Sequence, residues 1–578
     1  MMRFYALLAF VNFGCFLPLY LLNVRTTPNP RRQLLFADGP KWKGLLRFFY
    51  VRLRSPDPFR INFDFTFVVL VAAAINFTGP TMRVVAALLL GFGFVEIVYT
   101  SIMQSIFMRA SALRSDLSLL RTGVGLARRQ VYWIAPLVAL ALLMVGLSSV
   151  AAVSALFDLD SGGPWSALAA AGLLLPPCLY RCTRHYGEYL WRGVYSPGLH
   201  LTLNLRFERL VRRLASRDVA FYEGRNDFGR VTLDTPPNLV LVCVESYGSV
   251  VFRDPRYGGG VDTLIGRHEE ELTRAGYKFA STLSDAPLFA GGSWLSYASF
   301  AYGTSIASVQ LYDALFSRPS NFGAYESLFH VLRRNGYENV LLCPLGGIDD
   351  RTVDWAAVDR CFQPHAKIGF DDLGYVGPTV NFFGALRLHS ALDQFALNFG
   401  YERAREGGGP FSLFFCTLNS HFPWHSPAEA ADDWRALNAP TATLDQDPHR
   451  PAIDRYNSAV RYQLDYLLRF AVDRAADAPL IIMFGDHQPP TITHERMGKE
   501  TPVHILSRDQ SLIDVFLSHG FLPTLDLTDK HPRPIRHEGA LSLLMRAMHT
   551  AYGAEPGLDV PYRERGARIF DDDSLEVR

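Results

Sequence analysis

Two kinds of hydrophobic pattern divide the chain. In the first third, apolar residues run in long blocks: roughly Phe4–Val24, Phe63–Phe77, Val84–Met103, Val131–Leu156 and Trp165–Leu179. A helix that crosses a bilayer needs about 20 mostly apolar residues. The third and fourth blocks meet that length well. The second and fifth are short, and Pro176-Pro177 interrupts the fifth. The first block lacks a small-residue cleavage site and more apolar blocks follow it, so it is expected to stay as an anchor rather than act as a signal peptide. From about Asn238 to Leu543 the pattern changes. Short runs, "NLVLVCVE", "NVLLC", "FSLFFCTL" and "LIIMF", alternate with helix-like pieces such as "AYESLFHVLRRNG" and "IDRYNSAVRYQLDYLLRFAVDRA". In the last of these, Val460, Leu464, Leu467 and Leu468 recur at helical spacing. Continuous apolar strands separated by helices predict a mostly parallel sheet sandwiched by helices. The expected organisation is a membrane domain of about five helices over 1–185, a juxtamembrane linker over 186–236, an α/β domain over 237–550 and a charged, peripheral tail over 551–578. There is no repeat at a solenoid period and no long low-complexity tract.

Charge narrows the partners. The 578 residues carry 57 Lys+Arg against 56 Asp+Glu, a balance that argues against a nucleic-acid binder. Its distribution raises a conflict. Lys and Arg beside membrane spans favour the cytoplasm. The loop from Arg25 to Arg60 holds nine basic residues and that from Arg109 to Arg129 holds five arginines. Arg181, Arg184 and Arg192 follow the fifth block, whereas Asp158 and Asp160 make the intervening loop acidic. Five spans read this way put the last two thirds of the chain in the cytoplasm. Part of the first loop, "KGLLRFFYVRLR", alternates like an interfacial helix, which weakens its vote. Glu96 lies inside the third block, where a carboxyl marks either a polar pathway or an interface. The seven cysteines show no metal spacing. Cys243, Cys343 and Cys416 read as core, and Cys343 with Cys361 is a candidate pair for an oxidising compartment.

In open α/β sheets, ligands sit at the C-terminal ends of the strands. "NLVLVCV" is followed by Glu245-Ser246-Tyr247-Gly248, and "LIIMF" by Gly485-Asp486-His487. "FSLFFCTLNS" leads to His421, with Trp424 and His425 close behind, and "NVLLC" leads to Asp349, Asp350 and Arg351. Each polar strand end alone is ordinary structure. Several in one domain predict a site. Glu245, Asp486 and His487 supply the oxygen and nitrogen donors that suit one divalent ion, zinc or manganese, with magnesium as the alternative.

The ordered set "VES", "GGSW", "NSHFPW" and "GDH", after a multi-span N-terminus, resembles the alkaline phosphatase superfamily. Within it the match is to membrane-anchored, sulfatase-like phosphotransferases: the lipoteichoic acid synthase, phosphoglycerol transferase and lipid A phosphoethanolamine transferase group. The resemblance implies an alkaline-phosphatase-like fold with Glu245, Ser293, Asp486 and His487 as metal ligands. It implies Ser293 as nucleophile, where the lipoteichoic and phosphoethanolamine enzymes usually carry threonine. His421, Arg351, Trp294 and His494 become candidate substrate contacts. His494 and His504 are equally readable as ordinary loop or strand histidines. Gly291-Gly292 would let the backbone approach metal and phosphate closely. The bland reading of Ser293 is a helix N-cap. The implied reaction moves a phosphoryl-linked head group from a membrane phospholipid to an envelope glycan or lipid, at the inner membrane, with the catalytic domain periplasmic or extracellular. A hydrolase with the same site and a non-catalytic membrane scaffold are the other readings. Ser293 is followed by Trp294-Leu295-Ser296-Tyr297, so the x-Pro-x-Arg signature of true sulfatases is absent. No credible GxSxG elbow or Walker loop is present.

Overall fold

The computed structural model describes residues 1–26, 60–105, 111, 113–114, 116–117, 134–159, 163–182, 194–215, 228–316, 326–347, 355–382, 388–427, 429–441, 444, 450–493, 497–555 and 557–568. They fall into two compact units that divide between Leu210 and Val211.

The first unit is helical. Its helices are α1 (Met2–Thr26), α2 (Phe63–Ala74), α3 (Pro80–Ser105), α4 (Ile134–Asp158), α5 (Pro164–Cys182) and most of α6 (Pro197–Ala215). Each of the five expected blocks is a helix, and α5 runs through Pro176 and Pro177 rather than stopping at them. Among the described residues, two stretches can cross a membrane by length and composition, Pro80–Met103 in α3 and Ala139–Asp158 in α4. The outside of the unit is apolar. Leu88, Leu143, Leu147 and Leu168 are all more than half exposed. Its interior holds polar groups. Asn12 donates to Thr66 Oγ1 at 3.0 Å and accepts from the Asn62 backbone N–H at 2.7 Å, tying α1 to the start of α2. Glu96, on α3, is buried and bonded to Tyr195 Oη at 2.8 Å, Thr100 Oγ1 at 2.9 Å and His200 Nδ1 at 2.6 Å. Asp64 receives the Ser196 hydroxyl and the Gly198 N–H at the first turn of α6. Glu96 is thus a fully partnered anchor for the chain entering α6.

The second unit is the expected α/β domain. Eight strands form one sheet: β1 (Leu239–Val244), β2 (Lys278–Asp285), β3 (Glu338–Cys343), β4 (Ala366–Gly369), β5 (Phe411–Cys416), β6 (Leu480–Gly485), β7 (Glu500–Ser507) and β8 (Ile535–Arg536), in the order β8-β2-β7-β6-β1-β5-β3-β4. All neighbours are parallel except β7, which runs antiparallel between β6 and β2. Alternation along β1 sends Val240, Val242 and Val244 into one core and Leu239, Leu241 and Cys243 into the other. Helices α7 (Val261–Arg274), α9 (Asp393–Arg405) and α10 (Ala452–Asp473) contribute to the first core; α8 (Ser293–Tyr302), α11 (Gln510–Ser518) and α12 (Ala540–Tyr552) contribute to the second. The strands therefore carry near-continuous apolar runs because both faces are covered.

Two details depart from the expectation. The segment after Gly553 is not wholly peripheral: Val560 and Ala567 are buried, and the Ala567 N–H bonds Gly303 O just beyond α8. Cys343 and Cys361 are both free thiols.

Candidate metal centre

The parallel register of β1 and β6 pairs Val244 with Gly485, so both strands end side by side. The next residues are Glu245 on one and Asp486-His487 on the other. Gly485 is required by the closeness of this approach. A Cβ there would meet Tyr247 O at 1.9 Å. β5 lies on the other side of β1, pairing Cys416 with Cys243, and Thr417 follows. Thr417 Oγ1 accepts the Glu245 N–H at 3.0 Å and the Ser420 hydroxyl donates to Glu245 O at 2.7 Å. The metal-ligand candidate is thus fixed at both of its peptide groups by the loop that carries His421.

Ser293 arrives from a third element. Gly291 and Gly292 both have positive φ, 68° and 78°. They turn the chain so that Ser293 becomes the first residue of α8. Gly292 is the cap and no side chain caps the helix, which removes the N-cap reading of Ser293. Its hydroxyl instead donates to Glu245 Oε2 at 2.8 Å and lies 3.4 Å from His487 Nε2. His487 Nε2 is 3.2 Å from Asp486 Oδ2 and 3.6 Å from Glu245 Oε1. Ligand atoms of Glu245, Asp486 and His487 all lie within 4.8 Å of one another, and all three side chains are buried.

The hydrogen bonds leave the inward atoms free for a cation. His487 Nδ1 faces Gln488 O at 2.9 Å, so Nδ1 carries the proton and Nε2 presents a lone pair. Asp486 Oδ1 accepts from the N–H groups of Ser246 and His487 at 2.8 and 2.7 Å. Its Oδ2 is buried with no hydrogen-bond partner. Burial and the neighbouring Glu245 carboxylate push Asp486 well above the usual carboxylate range. Burial also raises Glu245, but the neighbouring imidazoles together with hydrogen bonding, including the Ser293 hydroxyl, outweigh it and hold that carboxyl low. Burial lowers His487 and so favours the neutral, ligating form. Two buried carboxylates, an imidazole lone pair and a hydroxyl aimed at one point fit a divalent cation. An orphaned Oδ2 is what such an ion would satisfy.

His421 is partly buried and close enough to bias both Glu245 and His487. Its Nδ1 faces Phe422 O at 2.6 Å. Trp294 is partly buried and packs on the core that includes α8. Arg351 and His494 lie outside the described residues. His504 is a strand histidine: it sits in mid-β7, between Tyr247 Oη at 3.0 Å and Ser281 Oγ at 2.9 Å. Residues not singled out from the sequence complete the surroundings. Asp393, on α9, accepts the N–H groups of Leu418 and Asn419 and the Gln463 amide, and so holds the His421 loop from below. "TLNSH" at a strand end was the available signal, because its Thr417 and Ser420 both serve Glu245.

No protein-family model matches the chain, and no curated protein does. Among solved structures, the chain is similar to the lipoteichoic acid synthase LtaP from Listeria monocytogenes, with 13% identity, a TM-score of 0.36, and 62% of this chain and 81% of that one covered. It is similar to the phosphoglycerol transferase GacH from Streptococcus pyogenes, with 11% identity, a TM-score of 0.35, and 62% and 88% covered. It is also similar to the C-terminal periplasmic domain of EcEptC from Escherichia coli, with 14% identity, a TM-score of 0.33, and 58% and 90% covered. Likenesses this remote decide neither fold nor chemistry, which rest on the sheet order and the side-chain geometry.

Proposed function

We propose that this chain is a metal-dependent phosphotransferase that moves a phosphoryl-linked head group, of the phosphoglycerol or phosphoethanolamine type, from a membrane lipid to an envelope acceptor. The observation that carries the reading is the Ser293 hydroxyl. It is bonded to Glu245 inside a buried Glu–Asp–His cluster where three chain segments converge.

Glu245, Asp486, His487 and Ser293 Oγ would hold one ion, manganese or zinc, with magnesium as the alternative. When bound, such an ion supplies charge neutralisation and favours an alkoxide over a hydroxyl. The chain's residues do the rest. Ser293 Oγ attacks phosphorus, its proton passing toward Glu245. The bond from phosphorus to the lipid oxygen breaks, and the lipid leaves as an alcohol after taking up a proton. The acceptor hydroxyl then attacks the phosphoserine ester, and Ser293 regains its proton. His421 would bind phosphoryl oxygens, and the first turn of α8 would add N–H donors. Catalysis of this kind is mostly positioning and charge stabilisation.

The apolar exterior of the helical unit and its two span-length stretches support membrane attachment. We place the α/β unit outside the inner membrane, where the lipid head group would be met, against the arginine distribution. A C-terminal alkaline phosphatase reporter should be active. A dark reporter beside a bright cytoplasmic fluorescent one would replace the substrate class. Purified full-length protein in detergent should cleave a chromogenic phosphodiester with Mn²⁺ and not after chelation. Acid quenching should trap the phosphoryl-linked group on Ser293 as a phosphodiester that keeps its remaining substituent. Lipid mass spectrometry of a deletion strain separates transfer from hydrolysis: a transferase leaves an envelope component without its head group.

A further inference from the structure

We infer that Ser246 is a positioning residue that aims both carboxylates, Glu245 and Asp486, at the metal. The inference rests on the metal reading above and concerns a residue with no direct part in the chemistry. Three observations carry it. Ser246 has φ 58°, the left-handed region that side chains other than glycine rarely adopt. It is fully buried. Each of its polar groups is engaged with the site or its wall: its N–H donates to Asp486 Oδ1 at 2.8 Å, its hydroxyl to Glu245 Oε1 at 2.9 Å, and its carbonyl accepts from Tyr456 Oη at 2.9 Å.

The consequences for the ligands are specific. The Ser246 N–H, with that of His487, fills Asp486 Oδ1 and leaves Oδ2 as the inward atom. The hydroxyl engages Glu245 Oε1, while Oε2 takes the Ser293 proton donor. One residue therefore sets the rotation of both carboxylates. Glycine is the ordinary occupant of such a backbone conformation, and a serine there accepts strain. What serine adds over glycine is the hydroxyl on Glu245. Strained backbone recurs at the neighbouring strand-end loops, at Trp424 with φ 63° and Thr491 with φ 67°. Trp424 packs edge-on against the same Tyr456, with ring centroids 5.6 Å apart.

Glycine and alanine separate strain from orientation. Ser246→Gly keeps both backbone bonds and relieves the strain but loses the hydroxyl. Ser246→Ala loses the hydroxyl and keeps the strain. Ser246→Thr keeps the hydroxyl and adds a β-branch. Calorimetric Mn²⁺ titration of metal-free, full-length protein should show Ser246→Gly and Ser246→Ala both weakened by about 10–100-fold, the range for lost outer-shell partners of metal ligands. The metal-free melting temperature should be unchanged or raised in Ser246→Gly and lowered in Ser246→Thr, which should bind near the wild-type affinity. Wild-type affinity in Ser246→Gly would overturn the inference, because the residue would then shape the fold and not the ligands. If the wild type itself bound no Mn²⁺ or Zn²⁺, the metal reading would fall and this inference with it. Those two failures are distinct in the same titration.

Discussion

The two units differ in what their surfaces carry. The helical unit buries an apolar core that includes Phe4, Phe65 and Leu156, holds polar Asn12, Thr66 and Glu96 inside as well, and still exposes many large apolar side chains, Leu143 and Leu147 among them. In the α/β unit the surface is the ordinary one. Among its described residues, Val376 and Phe422 are the only exposed large apolar side chains. Phe422 belongs to the loop of His421. A lipid surround for the helical unit would account for the difference. Against lipid, burying leucine gains little, so interhelical hydrogen bonds and close packing hold helices together. Against water, burial of apolar area dominates. The polar groups buried in the α/β unit therefore need another reason. At the ends of β1 and β6 the proposed metal and its substrate would supply that reason.

The largest expected effect separates site from scaffold. Ser293→Ala should lower turnover by at least about 10³-fold, more than about 4 kcal/mol of transition-state stabilisation. The loss of metal-free stability should be smaller, about 1–3 kcal/mol at most, since Ser293 caps nothing and only its bond to Glu245 is lost. Ser293→Thr should retain some activity. Near-normal turnover in Ser293→Ala would remove the covalent ester and leave water as the attacker.

The next test exchanges the two exteriors. Phe484, on β6, is fully buried and stacks on Phe300 with centroids 4.3 Å apart. Phe484→Ala should destabilise the α/β unit by about 3–5 kcal/mol in a denaturant titration. Leu143→Ala, on the outside of α4, should change stability in detergent by no more than about 0.5 kcal/mol. Leu143→Asp should instead impair insertion, by up to about 2.5–3.5 kcal/mol, the cost at the centre of a span. If Leu143→Asp inserted normally and left the protein soluble, the apolar exterior would be a protein interface and not a lipid one.

These contrasts explain what could be read in the sequence. β1, β3, β5 and β6 were legible because burial on both faces makes an unbroken apolar run. β2 and β7 were not. They carry Ser281, Thr282, Ser284 and His504, all fully buried, and those polar side chains look like loop. They are tolerated because they satisfy one another and their neighbours: His504 bonds Ser281 and Tyr247, and His537 bonds Ser284 and Ser296. The ligand candidates were legible because a strand end in this topology is where side chains converge. Ser246 was visible as a letter but not as a role, since a left-handed φ leaves no mark unless glycine occupies it. The cap reading of Ser293 failed because two glycines before it, not the serine, make the turn.

Acid should distinguish the histidines that hold the sheet from the carboxylate below the site. Burial lowers His504 to about 3, and burial with Lys499 lowers His537 to about 3. Histidine in the unfolded chain titrates near about 6.5. The stability these two contribute is present above that value and is lost on acidification toward 3. Asp393 is raised to about 7 by burial, so the folded state binds its proton more tightly, and stability falls as pH rises between about 4 and 7. In the shared window two histidines oppose one aspartate. For these three groups the net loss on acidification is about 1.4 kcal/mol per pH unit. Denaturant titrations between about pH 5.5 and pH 4.5 should show stability falling on acidification, and His537→Gln should reduce the fall by about 1.4 kcal/mol per pH unit. A slope that His537→Gln leaves unchanged would deny that this histidine is buried neutral.

The smallest effect tests the comparison itself. Asn12 and Asn339 are both buried asparagines with bonds at both ends of the amide. Asn12 joins Leu8 O, Thr66 and the Asn62 N–H within the helical unit. Asn339, on β3, joins Phe329 O, Gln363 O and the Ser412 hydroxyl beneath the sheet. If the helical unit sits in lipid, its unfolded reference also finds partners for an orphaned polar group. Asn12→Ala should then cost only about 0.6 kcal/mol, and at most about 1.7 kcal/mol. In water the reference is a solvated chain, and removing one amide strands its buried partners. Asn339→Ala should therefore cost the larger amount, about 1–3 kcal/mol for each partner left unsatisfied. Unfolding of the purified protein by graded denaturant, monitored separately for each unit, reads both values. Equal costs would mean that the two interiors see the same solvent on unfolding, and the reading of the helical unit's apolar exterior as lipid-facing would have to be given up.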